Sequence, residues 1–397
     1  MYCFELNFKL RSENQLSPMW CVCSDLCVSV RIVDAKFVTS QSLSLSGTKL
    51  FVALASGMTA TSIVLDLWAS RSIVSSASLT APLVICGLLS ALVGLGAVPL
   101  LRALKAGQII REDGPKSHLK KTGTPTMGGA FFVPVAIIMS LILSGFHPNA
   151  IAVAALTTAY AGIGFADDWE IIRRRSNKGI SPRTKMGLQI AFAVVFCVWM
   201  MMFGQVSTDI RLPFGVVIPL GLLFWGLATF TLVAESNATN LTDGVDGLAG
   251  GTVAVAMLGM GAIAAPTHPE LMTFSACLSG ACLGFLAHNR NPAKVFMGDT
   301  GSLAIGGALA AVGLMTNSLF ALLLISGLFL WETLSVIIQV SYFKMTKNAD
   351  GVGQRFFKMS PYHNHLELSG WTETQIVGWF YTVNIVLALL ALATTAR

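Results

Sequence analysis

The chain has 397 residues, 54% of them hydrophobic and only 12% charged, with 26 Lys and Arg against 20 Asp and Glu. At a mean hydropathy of +0.69 it has too little polar surface to coat a water-soluble globule, which points to a polytopic helical membrane protein. The formal charge of +6 is read as membrane topology, and without a basic stripe interleaved with aromatics a nucleic-acid partner is excluded.

Residues 1–79 differ in composition from the rest, mixing Ser, Thr and Cys with scattered charges around one broken apolar run at 50–65. They are expected to be an N-terminal extension, either a transit segment or a disordered one. The carboxylates Glu5, Glu13, Asp25, Asp34 and Asp66 count against the former. Cys3, Cys21, Cys23 and Cys27 lack the paired spacing of a zinc site. Cys86, Cys197, Cys277 and Cys282 sit in apolar runs, where a thiol acts as a small hydrophobe.

From residue 80 to 397 the apolar segments are regular, and an all-α domain of about ten transmembrane helices is expected, each near the ~20 residues a bilayer needs. They fall at 81–104, 126–144, 150–166, 186–204, 213–233, 248–265, 271–287, 300–315, 319–342 and 375–393. Lys105, Arg111, Lys116, Lys120, Lys121, Arg173, Arg174, Arg175, Lys178, Arg183, Lys185, Arg290, Lys294, Lys344, Lys347, Arg355 and Lys358 fall in alternate connections. The opposite connections hold only Arg211, so the basic set faces the cytoplasm or its organellar equivalent.

The unusual polar clusters lie on that inner face. Lys120–Gly129 opens a helix with Gly, Pro and hydroxyls beside lysine, a ready site for a phosphate. Asp167 and Asp168 end the third segment, where two carboxylates face the wrong end of the helix dipole unless a cation compensates. The stretch 237–251 carries Asn237, Asn240, Asp243 and Asp246; spaced by three, neighbours of the last three would share a helix face and clamp one ligand. In 296–302, Asp299 stands between glycines at a helix start, suited to an oxygen-ligated Mg²⁺ touching phosphates or to a cap. His363, His365 and Glu367 lie in the last inner loop, where a histidine can contact phosphate or relay a proton. Metal, cations and a group to manage a proton are the set that phosphoryl transfer needs, and their position at the membrane surface points to a lipid substrate.

The motifs 121–129, Asp167-Asp168, 237–248, 296–302 and 361–368 resemble, in order, those of the polyprenyl-phosphate N-acetylhexosamine-1-phosphate transferases. Gly123–Gly129 and Glu367–Trp371 favour the phospho-N-acetylmuramoyl-pentapeptide transferase branch over the rival that takes UDP-N-acetylglucosamine. One departure is His363-Asn364-His365, where the family commonly has three histidines.

The resemblance implies a cytosol-facing active-site groove, a homodimer, and transfer of phospho-MurNAc-pentapeptide from UDP-MurNAc-pentapeptide to polyprenyl phosphate, giving lipid I and UMP for peptidoglycan. It implies Mg²⁺ on Asp299 and Asn240, and catalytic roles for Asp167, Asp168, Asp299 and His363. Lys121, Gly244, Asp246 and Phe296 would form the uridine pocket, and Thr126, Asn240 and Asp243 the middle of the site. Asn289 and His365 complete the expected substrate-binding set. The membrane would be a bacterial inner membrane or, given the extension, that of a plastid. A cation channel is disfavoured because the long apolar runs are nearly free of ionisable residues, Glu332 being the main exception.

Overall fold

A computed structural model describes residues 46–104, 121, 123–174, 176, 179–204, 206–349 and 351–395. Residues 1–45 with their four cysteines, and Lys105, Arg111, Lys116, Lys120, Arg175 and Lys178, lie outside these. Ser44–Arg397 forms one compact unit.

Where a broken apolar run is expected at 50–65, the structure has a continuous apolar helix, α1 (Gly47–Trp68). Its hydroxyls do not interrupt it because they bond back along the helix: Ser56 Oγ donates to Val52 O at 2.7 Å, Thr59 Oγ1 to Ala55 O and Thr61 Oγ1 to Gly57 O, both at 2.8 Å. The next helix, α2 (Thr80–Ala103), is capped from α1. Buried Asp66 accepts from the Leu79 and Thr80 backbone N–H groups and from Thr80 Oγ1 at 2.7 Å, and pairs with Arg71 at 2.9 Å. Residues 47–68 are thus tied into the body rather than left as an extension.

Further on come α3 (Gly129–Leu143), α4 (Pro148–Arg174) and α5 (Pro182–Phe203). A two-stranded antiparallel ribbon follows, β1 (Asp209–Arg211) with β2 (Val217–Pro219), Ile210 opposite Ile218. The helix expected from 213 begins only at Leu223, because Pro213 opens a tight turn and Phe214 and Gly215 are left-handed at φ 63 and 76. It is α6 (Leu223–Thr242), followed by α7 (Leu248–Ala264), α8 (Pro269–Asn289) and α9 (Gly298–Met315). The single span expected at 319–342 is broken at Ser326 into α10 (Leu319–Ile325) and α11 (Gly327–Met345), bent by 68°. Ser326 at the break donates to the buried Glu235 carboxyl of α6 at 2.9 Å, a local polar partner for a helix interrupted among apolar neighbours. A short α12 (Tyr362–Glu367) and α13 (Glu373–Thr395) complete the chain.

Among the described residues the chain is all-α but for that ribbon. Among the described residues seven helices are long and apolar enough to cross a membrane, eight if the bent pair is one span, and α3 and α7 are apolar but shorter. The α7, α8 and α9 helices are buried almost all round and form the centre, with α2 along α8 and both α4 and α6 along α9. This brings the ends of α4, α6 and α9 together on the inner face.

Candidate active site

The site is built on the turn 243–247 between α6 and α7. The expectation that Asn240, Asp243 and Asp246 share a helix face fails, because α6 ends at Thr242. Each goes to a different neighbour.

Asn240, still helical, donates to Asp299 Oδ1 at 2.7 Å and to Ser302 Oγ at 2.8 Å. It meets Asp299 with its amide nitrogen, an orienting contact rather than the oxygen ligand expected of it. Asp299 also pairs with Lys185 of α5 and lies within hydrogen-bonding reach of the Asp167 carboxyl. Asp243 accepts from the Gly298 backbone and faces the charges of Asp299, Asp168 and Asp246. Burial, and then those like charges, push its carboxyl up to about 7.

Asp167 and Asp168 do not end their helix, since α4 runs on to Arg174. Their compensation comes from elsewhere. Asp168 accepts from the backbone N–H groups of Asp299 at 3.1 Å and Thr300 at 2.9 Å and from Thr300 Oγ1 at 2.6 Å, so it closes the positive end of α9. Gly164, one turn earlier, allows this approach: a Cβ there would collide with the Asp299 carbonyl. Asp167 accepts from the Ile180 backbone at 2.9 Å, and its carboxyl also faces Asp299 and Lys185.

The start of α3 is not the open anion site that its sequence promises. Gly128 and Gly129 donate their N–H groups to Phe296 O at 2.8 Å and Met297 O at 3.0 Å, and Phe296 N–H returns to Pro125 O at 2.8 Å. This pairing seats buried Thr126 beside Gly298 and Asp168, and leaves the Phe296 side chain half-buried.

Lys121 reaches a second cluster. Its ammonium binds Asp246 at 2.8 Å and Glu373 of α13 at 2.7 Å. Burial works to lower its pKa, but the two carboxylates outweigh it and hold it above the usual lysine value. Asn291 donates to both Asp246 and Glu373, at 3.2 and 3.0 Å, and Ala293 N–H to Asp246 at 2.9 Å. The Asn289 amide is spent on backbone, accepting from Gly247 at 2.9 Å and donating to Val295 at 2.8 Å, so it shapes the turn.

The third contact is His363, whose Nε2 faces Gly244 so closely that a Cβ there would collide with it. Glu332 of α11 lies behind the ring at 3.0 Å from Nδ1. His365 is not brought to this place. It stacks on Tyr362 with ring centres 5.5 Å apart and accepts from the Lys358 backbone at 3.1 Å. Burial and then the Lys358 charge hold its pKa below the usual histidine value. Lys185, Asn291, Glu332 and Glu373 escape the sequence reading as site residues. Lys185 counts there only toward topology, and Glu332 only as an oddity in an apolar run.

Among the described residues no three His, Cys, Asp or Glu side chains are arranged to hold a metal alone. The donor set still fits a Mg²⁺ shared with phosphates, which takes one or two protein carboxylates. Asp299 faces the carboxyls of both Asp243 and Asp167 with Lys185 the nearby cation, an arrangement that favours a further positive charge between Asp299 and Asp243.

Residues 150–317 match the profile of glycosyl transferase family 4, a stretch that includes Asp167, Asp168, Lys185, the turn and Asp299. A phospho-N-acetylmuramoyl-pentapeptide-transferase of Nostoc punctiforme is 61% identical over 364 residues, 91% of this chain and 100% of the relative. The chain belongs to the phospho-N-acetylmuramoyl-pentapeptide transferase family. Relatives of the same name from Microcystis aeruginosa and a Synechocystis species are 65% and 55% identical, covering 80% and 88% of this chain and 89% and 96% of their own. In this transferase family member the three clusters therefore surround one turn, with the Lys121–Asp246–Glu373 ion pairs on one side and the Asp167–Asp299–Lys185 cluster on the other.

Proposed function

We propose that the chain transfers phospho-MurNAc-pentapeptide from its UDP carrier to a membrane polyprenyl phosphate, giving lipid I and UMP. The observation that supports this best is the turn 243–247. It joins Lys121, fit for an anionic nucleotide, to the Asp167–Asp299–Lys185 cluster, fit for a phosphate reaction, and to His363 between them. An oxygen of the lipid phosphate attacks the β-phosphorus, and the bond from that phosphorus to the bridging oxygen breaks as UMP leaves. One diphosphate replaces another, so no outside energy source is needed.

Of the adjacent carboxylates, Asp167 is the one to accept or orient the proton of the lipid phosphate. It has an oxygen directed into the cluster, whereas Asp168 is occupied by three donors from α9. Lys185 holds Asp299 and adds positive charge where the diphosphate would lie. Asp299 and Asp243 would hold Mg²⁺, which when bound neutralises diphosphate charge. Lys121, Asp246 and Phe296 would receive the uridine portion, and His363 the phosphate beside Gly244.

The protein is taken to act as a homodimer in a bacterial inner membrane or a plastid membrane; its mass in detergent and the mature N-terminus test these points. The reaction is tested with purified protein, Mg²⁺ and polyprenyl phosphate offered either UDP-MurNAc-pentapeptide or UDP-N-acetylglucosamine. UMP release from the first alone is expected, and release from the second alone overturns the reading.

A further inference from the structure

Glu332 stands alone as a charged residue in the apolar stretch 327–342, where a carboxylate is costly unless something pairs with it. Its side chain is fully buried, at 0% exposure, and His363 beside it is 2% exposed. Both of its oxygens are directed to the same residue. Oε1 accepts from the His363 backbone N–H at 3.2 Å, and Oε2 lies 3.0 Å from Nδ1. The backbone contact fixes where α12 begins relative to α11, and the ring contact fixes how the imidazole is turned. With Nδ1 directed to the carboxylate, Nε2 is left facing Gly244 on the turn that joins the nucleotide pocket to the acidic cluster.

A carboxylate behind an imidazole selects the tautomer with the proton on Nδ1 and stops the ring from flipping. We propose that Glu332 is a positioning residue for the transfer reaction, holding His363 so that Nε2 meets the substrate phosphate at the turn. This rests on the reading of His363 as a site residue. It gives a reason for a buried charge in α11 that packing alone does not, because an apolar side chain would fill the same space without the desolvation cost.

The test is a double-substitution cycle with Glu332→Gln, His363→Gln and the pair, assayed for UMP release, with UMP binding measured on each. Glu332→Gln is expected to lower kcat about 10-fold or more, to leave UMP affinity within about twofold, and to add no further loss on top of His363→Gln. Losses that multiply in the double variant overturn the proposal, as does normal turnover in Glu332→Gln. Should Glu332→Gln fail to accumulate in membranes, Glu332→Asp is measured in the same cycle. Failure of both to accumulate, whatever residue stands at 363, assigns Glu332 a folding role and also overturns it. Normal turnover in His363→Gln overturns the underlying reading of His363, and the proposal with it, while leaving the Lys121 and Asp299 assignments standing.

Discussion

Asp168 of α4 holds Thr300 of α9 by both backbone N–H and side-chain hydroxyl, at 2.9 and 2.6 Å. A carboxylate from one helix thereby serves as the cap of another, and it fixes where Asp299 points. Adjacent Asp167 has no such duty toward α9. Asp168→Ala leaves three donors without their acceptor, at about 1–3 kcal/mol for each that stays buried and unpaired. It is expected to lower thermal stability in detergent along with activity. Asp167→Asn is expected to keep the melting temperature near normal while turnover falls about 100-fold or more. Melting curves and UMP release on both variants check this, and equal melting losses would refute the division of labour.

Lys121 joins the connection before α3 to the turn and to α13 through two carboxylates. Lys121→Met removes the cation that an incoming nucleotide phosphate would meet, and leaves Asp246 and Glu373 repelling it. KM for the UDP-sugar is expected to rise about 10-fold or more, with a smaller change in kcat. UMP binding by calorimetry gives the same comparison without turnover. Unchanged affinity would place the nucleotide elsewhere.

Much of this site can be read from sequence because the reacting groups are polar residues in a chain with few of them. Asp167, Asp168, Asp243, Asp246, Asp299 and His363 stand out against apolar runs, and their shared face follows from the charge of the connections. What the sequence conceals is which neighbour satisfies each group. Asp168 looks misplaced at a helix end until α9 is seen to supply its donors. The anion site expected at the start of α3 disappears because the 296–297 carbonyls take its N–H groups. The sequence reading also misses α1, which is as apolar as the other spans, because its Ser and Thr look like helix breakers unless their back-bonds are counted. The break at Ser326 is equally hidden, because its partner Glu235 is 91 residues away.

The placement of α1 has a topological consequence. Gly47 closes on the Asn291 backbone, and Arg290 donates to Thr48 Oγ1 at 3.2 Å with its guanidinium 5.3 Å over the Phe51 ring. The start of α1 therefore lies on the inner face, beside the connection that carries Arg290 and Lys294. A cysteine at Ser46 is expected to react with a membrane-impermeant maleimide from the inner face, in inverted vesicles. Labelling from the opposite face alone would contradict the docking of α1.

Gly244 is the point where the turn meets His363. Gly244→Ala places a methyl group against Nε2, and the imidazole, held from behind by Glu332, has little room to retreat. Displacement of a reacting group by about 1 Å costs on the order of 100-fold in rate. A fall in kcat of about 10-fold or more is expected, with accumulation in membranes unaffected. Full activity would show that the ring is free to move.

Asp243 gives the protein a pH dependence whose sign can be worked out. Its folded pKa of about 7 lies above the usual aspartate value of 3.8, because burial and the charges of Asp299, Asp168 and Asp246 disfavour the ionised form. Between those values the folded protein binds more protons at this position than the unfolded chain, so stability from this group declines as pH rises. The contribution is complete below about pH 4, is lost progressively toward pH 7, and is constant above it. Asp243→Asn removes the titration and keeps a neutral side chain of the same shape. Its melting temperature relative to the unsubstituted protein is therefore expected to climb from pH 5 to pH 8, measured in metal-free detergent. Added Mg²⁺ should shrink that gap, because a cation beside Asp243 and Asp299 would favour the ionised carboxylate that the substitution removes. A gap that is flat with pH would mean that Asp243 stays ionised across the range.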